Sequence, residues 1–97
     1  SRTRRKIRKA KKYNFTFKKG NDKQLINHFY QVYSQTMLNH GTPVLDINLF
    51  YNLVNEFGDK IIFFNFYDKY KIIASASILI DKEIMIGEWL GINEDYK

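Results

Sequence analysis

Residues 60–90 read KIIFFNFYDKYKIIASASILIDKEIMIGEWL. Three runs in this stretch, 60–67, 72–80 and 83–90, are rich in β-branched and aromatic residues. Their connectors, Asp68-Lys69-Tyr70-Lys71 and Asp81-Lys82, are short enough for hairpins. The stretch therefore predicts a three-stranded antiparallel meander. Period-2 alternation puts Ile62, Phe64 and Phe66 on one face of the first run and Ile61, Phe63 and Tyr67 on the other. In the second run Ile72, Ala74, Ala76, Ile78 and Ile80 share a face, opposite Ile73, Ser75, Ser77 and Leu79. Both faces are largely apolar, so both are expected to be covered.

Upstream the period changes to that of helices. Asn21 is the expected N-cap of a first helix, with Gln24 three residues on as in a capping box. Leu25, Ile26, Phe29, Val32, Tyr33 and Met37 form its apolar face, and Gly41 ends it ahead of Thr42-Pro43. Asp46 caps a second helix with Leu49, Phe50, Leu53, Val54 and Phe57 inward and Gly58 at its end. Residues 13–17 alternate aromatic and polar side chains and predict a strand, followed by a turn at Lys18-Lys19-Gly20-Asn21. Residues 3–12 predict a basic helix with a thin stripe of Ile7 and Ala10.

The fold class is thus α+β: an antiparallel sheet, two helices and a basic N-terminal helix. Two helices cover one sheet face, and the Ile7/Ala10 stripe is too thin to cover the second. The last strand, Ile84-Met85-Ile86-Gly87-Glu88-Trp89-Leu90, is too apolar for a bare edge. These 97 residues are expected to be an incomplete domain, completed by more chain rather than by a second domain or another copy. The expected division is a basic segment at 1–12 and one incomplete domain at 13–97.

The net charge of +6 is local. Residues 1–12 hold eight of the sixteen Lys and Arg and no acid, which leaves residues 13–97 with eight basic and ten acidic side chains. Any polyanion is expected to meet the basic head alone. Cysteine is absent, so disulfides, thiolate catalysis and Cys-based metal sites are excluded from these residues. No run approaches the roughly 18–20 apolar residues of a membrane span, and none reads as a secretory leader. A cytoplasmic location is expected.

Chemistry-bearing patterns are sparse. His28 and His40 are twelve residues apart on one helix, roughly 18 Å, too far to share a metal ion; no metal site is expected. Ser75 and Ser77 fit close helix approach better than nucleophilic catalysis. No glycine-rich phosphate loop is present. Gly87, inside a strand, marks either a bulge or backbone open to a ligand. Glu88 is a carboxylate in an apolar strand, placed by alternation with Ile84 and Ile86. It is either a solvated edge residue or a general base.

Taken together, several segments resemble the FemAB-like transferases. Arg4-Arg5-Lys6-Ile7-Arg8-Lys9-Ala10-Lys11-Lys12 resembles the family's "RR-x-IRKA-x-K" helix. Phe29-Tyr30-Gln31-Val32-Tyr33, Thr36-Met37 and Gly41-Thr42-Pro43 resemble its "FY-x-VY…TM…GTP" run. Phe50 to Phe57 with Asp59 fit the next helix. Ile73-Ala74-Ser75-Ala76, Glu88-Trp89 and Asn93-Glu94-Asp95-Tyr96-Lys97 resemble the strands and exit that follow. The likeness covers nearly the whole chain, through the order of individually weak motifs.

The resemblance implies the first half of a GNAT-like (acyl-CoA N-acyltransferase-like) domain, with the donor-binding half still to come. It implies acyl or aminoacyl transfer to an amine acceptor on a cell-envelope precursor, either peptidoglycan or a related polysaccharide intermediate. The donor would be aminoacyl-tRNA or acyl-CoA. The resemblance further implies that His40-Gly41-Thr42-Pro43 borders the acceptor, and that the last strand, with Gly87, Glu88 and Trp89, lines the acyl site. Glu88 is the candidate base, and Arg4, Arg5, Arg8 and Lys9 would meet donor or acceptor phosphates. Two other classes remain beside it: a nucleic-acid-binding module using the basic arm, tRNA included, and a non-catalytic domain that self-associates through its sheet.

Overall fold

The structure, a computed structural model, describes residues 15–96, with the backbone alone at Tyr96. The expected basic helix, with Arg4, Arg5, Arg8 and Lys9, lies outside the described residues, as do Tyr13, Asn14 and Lys97. The elements are β1 (Thr16–Gly20), α1 (Lys23–Asn39), α2 (Ile47–Phe57), β2 (Ile61–Asp68), β3 (Lys71–Asp81) and β4 (Ile84–Ile92). Short 3-10 turns occupy Gly58–Lys60 and Glu94–Tyr96. The four strands form one sheet in the order β1-β2-β3-β4, and every pair is antiparallel. The three-stranded meander is therefore as predicted, but register shifts after Phe66 and after Leu79 interrupt its alternation, and Ile72 packs with Val32 and Tyr67 rather than sharing the face of Ala74. The arrangement is compatible with a GNAT-like half domain.

The helix ends follow local chemistry. Asp22, not Asn21, caps α1: its carboxylate accepts from the Leu25 N–H at 2.9 Å. Asn21 instead donates from its side chain to the Gly58 carbonyl. At the far end Gly41 takes φ +70°, Gly41 N–H bonds the Leu38 carbonyl, and Thr42 N–H bonds the Met37 carbonyl. This pair of bonds is a Schellman motif, which needs the left-handed residue that glycine supplies without strain. Asp46 caps α2 by accepting from the Asn48 N–H at 2.8 Å.

One expected turn is strand instead. Lys18, Lys19 and Gly20 pair with Asn65, Phe64 and Phe63. β1 is an edge strand, where lysine is well tolerated because its ammonium stays in water. Backbone pairing to an eight-residue neighbour outweighs the turn preference of Lys-Lys-Gly.

Both helices pack on one face of the sheet. Leu25, Ile26, Phe29 and Tyr33 of α1 and Phe50 of α2 meet Ile61 and Phe63 of β2 and Leu79 of β3 in one buried cluster. Phe29 is its centre, with ring centroids 5.1–5.3 Å from those of Tyr33, Phe50 and Phe63. The other face is not covered by any described element, in line with the expectation that the two helices cover one face only. Phe17 is 47% exposed, Met85 53% and Leu90 53%. The reason lies in the topology: both helices enter the sheet on the same side.

Candidate functional site

The small residues of β3 and β4 let α1 approach closely. Gly91 is buried against α1, where an added Cβ would stand 2.7 Å from the Tyr33 backbone nitrogen. One turn further along, the buried Thr36 hydroxyl accepts from Ile92 N–H at 2.9 Å and donates to the Ile92 carbonyl at 3.2 Å. This clasp pins the end of β4 to the last turns of α1. Beyond it, Asn93 N–H bonds the Ile73 carbonyl at 2.9 Å, the Asn93 side chain donates to the Ile72 carbonyl, and its Oδ1 accepts from Asp95 N–H.

A groove of about 500 Å³ opens beside this clasp. Gln31, Val32, Gln35 and Asn39 of α1 form one wall. Residues 70–72, from the β2–β3 turn into β3, and residues 92–95 form the others. Val32 and Ile72 belong, with Tyr67, to a small apolar cluster beneath it. Lys71 and Asp95 form an exposed ion pair at 3.3 Å on its rim. Exposed pairs of this kind add little stability. The sequence reading did not single out this groove. Gln31 and Gln35 look like ordinary exposed helix positions until the turn at 69–70 and the segment after β4 are brought beside them.

A second polar cluster lies under α1. Buried Asn65 donates from Nδ2 to the Leu25 carbonyl and to the Tyr67 hydroxyl, each at 3.1 Å. The Tyr67 hydroxyl lies 2.9 Å from His28 Nδ1. Which of the two donates in that pair is set by the imidazole tautomer. Lys18 Nζ sits 5.6 Å from the Tyr67 ring centroid. Among the described residues Asn65 Oδ1, Ser75 Oγ and Ser77 Oγ have no hydrogen-bond partner, although all three side chains are buried.

Burial pushes the Tyr67 phenol above its ordinary value of 10.0, and the Asp22 charge adds to this, while the Asn65 hydrogen bond opposes it. The folded chain therefore holds this proton more tightly than the unfolded chain. The resulting stability is fully present below a pH of about 10 and is lost as pH rises through the higher folded value. Urea midpoints followed from about pH 9 to pH 11.5 are expected to fall more steeply for the native chain than for Tyr67→Phe, which has no proton to lose. Parallel curves would overturn this assignment.

The structure disperses the residues expected at the site. Gly41, Thr42 and Pro43 form an exposed loop in the helical layer, after α1. Trp89 faces the core, its ring 5.5 Å from Phe50 and perpendicular to it. Gly87 makes room for that indole: an added Cβ would stand 2.5 Å from Trp89 Cη2. Glu88 pairs with Ile78 and is exposed on the opposite, uncovered face. It does not share that face with Ile84 as strict alternation implies. A register shift after Leu79 pairs Ile80 with Met85 and Asp81 with Ile84, which moves Met85 onto the face of Glu88. The sheet thus lies between Glu88 and the 41–43 loop. Among the described residues no cluster of His, Asp or Glu could hold a metal ion, and no helix is long and apolar enough to cross a membrane.

An antiparallel sheet with two helices on one face and the other face open, in this chain order, is an α+β arrangement compatible with a GNAT-like half domain. Compared with known protein families, residues 1–97 match the FemAB-like family, described as peptidoglycan biosynthesis/recognition, and the chain belongs to it. No curated protein matches the chain.

Proposed function

We propose that this chain is part of a transferase that moves an acyl or aminoacyl group to an amine on a peptidoglycan or related polysaccharide precursor, in the bacterial cytoplasm. The observation that carries the reading is the family match over residues 1–97 on a sheet with one face left open. Acyl transfer to an amine needs a positioned donor carbonyl, a hydrogen-bond donor for the developing oxyanion and an acceptor for the amine proton. β4 is an edge strand among the described residues, so it can offer backbone N–H groups to an oxyanion. Glu88, between the open apolar face and that edge, is the candidate base, and Gly87 and Trp89 set the local course of the strand. The loop Gly41-Thr42-Pro43, on the helical side of the sheet away from Glu88, borders a part of the acceptor remote from the reacting amine. Arg4, Arg5, Arg8 and Lys9 meet phosphates of the donor, an aminoacyl-tRNA or an acyl-CoA.

The test is steady-state kinetics of the full-length transferase, unsubstituted and carrying Arg4/Arg5/Arg8→Ala, with each donor. A charge-assisted hydrogen bond is worth about 1.5–3 kcal/mol, and about 1.4 kcal/mol is tenfold. The donor KM is therefore expected to rise roughly tenfold or more, with kcat nearly unchanged. An unchanged KM would sink the phosphate role, and absence of transfer from both donors would sink the transferase reading. Self-association is a second reading, favoured by the exposed Phe17, Met85 and Leu90. A concentration-independent monomer in sedimentation would remove it.

A further inference from the structure

The first turns of α1 aside, its surface is unusual in what it lacks. Residues 24–39 contain no Asp, Glu, Lys or Arg, in a chain of which 27% is charged. A helix exposed only to solvent normally carries charges on its outer face. Here the flank that faces the groove carries Gln31, Gln35 and Asn39, four residues apart and so on one stripe. Gln35 Nε2 donates to Asn39 Oδ1 at 3.0 Å. That bond leaves the Gln35 carbonyl as an acceptor and the Asn39 amide as a donor, side by side. No side-chain partner engages Gln31 among the described residues. Across the groove, Tyr70 is 99% exposed at the tip of the β2–β3 turn, where Lys69 takes φ +57°. An aromatic ring held fully in water contributes nothing to the fold.

We infer that this groove binds a neutral saccharide. Each carboxamide supplies both a donor and an acceptor, which matches hydroxyl groups that are themselves both. The Tyr70 ring offers a flat apolar surface to the C–H face of a pyranose, with its hydroxyl free for water or ligand. The charged groups on the groove are Lys71, Glu94 and Asp95, a formal balance of −1. This disfavours phosphate, nucleotide or uronate ligands, which need excess cationic donors. A volume of about 500 Å³ lies within the range of small-molecule sites, about 300–1,000 Å³. The inference rests on the transferase reading only for its purpose, as the place where the glycan part of the acceptor sits; binding itself needs neither donor nor catalysis.

The test is a heteronuclear NMR titration of the 97-residue chain with N,N′,N″-triacetylchitotriose, and separately with trigalacturonic acid and a neutral tripeptide amide. Saturable shifts with a Kd on the order of 1 mM or tighter are expected for the neutral sugar alone. They should centre on the Gln31, Gln35 and Asn39 side-chain amides and on Tyr70. Tyr70→Ala and Gln31→Ala, both at exposed positions, should retain the native spectrum and weaken binding roughly tenfold. The inference is overturned by no saturable shift with the neutral sugar, by shifts centred elsewhere, by affinity unchanged in both variants, or by equal or tighter binding of the uronate or the peptide. Such a failure with transfer activity intact would refute the saccharide site and leave the transferase reading standing.

Discussion

Phe29→Ala is expected to lower the thermal midpoint by at least roughly 12 °C, on a loss of about 3–5 kcal/mol for a buried phenylalanine and about 4–8 °C per kcal/mol at this size. Phe29 is fully buried where α1, α2 and β2 meet, and its ring contacts Tyr33, Phe50 and Phe63. Phe50 in turn meets Trp89 on β4. Truncation therefore removes apolar burial and three aromatic contacts at once, each worth about 0.5–1.5 kcal/mol. The neighbours are large rings anchored on three different elements, so the cavity collapses poorly and the loss falls toward the upper end. A small domain has only about 5–15 kcal/mol in hand. Circular dichroism melts check this directly; a shift under about 5 °C would show that the core is centred elsewhere.

The same residues explain how much of the fold was legible. The apolar face of α1 recurs at helical spacing over four turns, and the meander alternates apart from two register shifts, so both elements could be read from local pattern. The Gly41 stop was legible because only a left-handed residue closes that motif. What was missed depends on partners distant in the chain. Lys18 and Lys19 become strand because Asn65 and Phe64 lie opposite them. Asp22 and Asn21 are both good caps, and the contact of Asn21 with Gly58, far along the chain, separates them. The face of Glu88 depends on a register shift that alternation cannot reveal. The groove is the clearest case: its amides lie on α1, but its other walls come from residues 70–72 and 92–95. The Thr36–Ile92 clasp and the Asn93 bonds bring them together.

That clasp makes Gly91 and Gly87 an informative pair. In Gly91→Ala the new methyl would meet Tyr33 N at 2.7 Å, Tyr33 Cα at 2.8 Å and the Val32 carbonyl carbon at 2.8 Å. All three are helix backbone, so relief requires α1 as a whole to move outward, loosening the Thr36–Ile92 bonds. In Gly87→Ala the methyl would meet only the far edge of the Trp89 indole, a side chain that can tilt. Overpacking costs about 1–3 kcal/mol. Gly91→Ala is expected at or above the top of that range, since bonds of about 0.5–1.5 kcal/mol each are strained as well, and Gly87→Ala near the bottom. The spectroscopic signs are also opposite. Gly87→Ala should shift Trp89 fluorescence with a modest change in midpoint. Gly91→Ala should destabilise strongly, accelerate amide exchange at Ile92 and Asn93, and weaken any ligand held between α1 and the end of β4. Equal destabilisation by the two substitutions would mean that α1 does not rest on Gly91, and the groove beside it would then lack the rigid wall on which its chemistry depends.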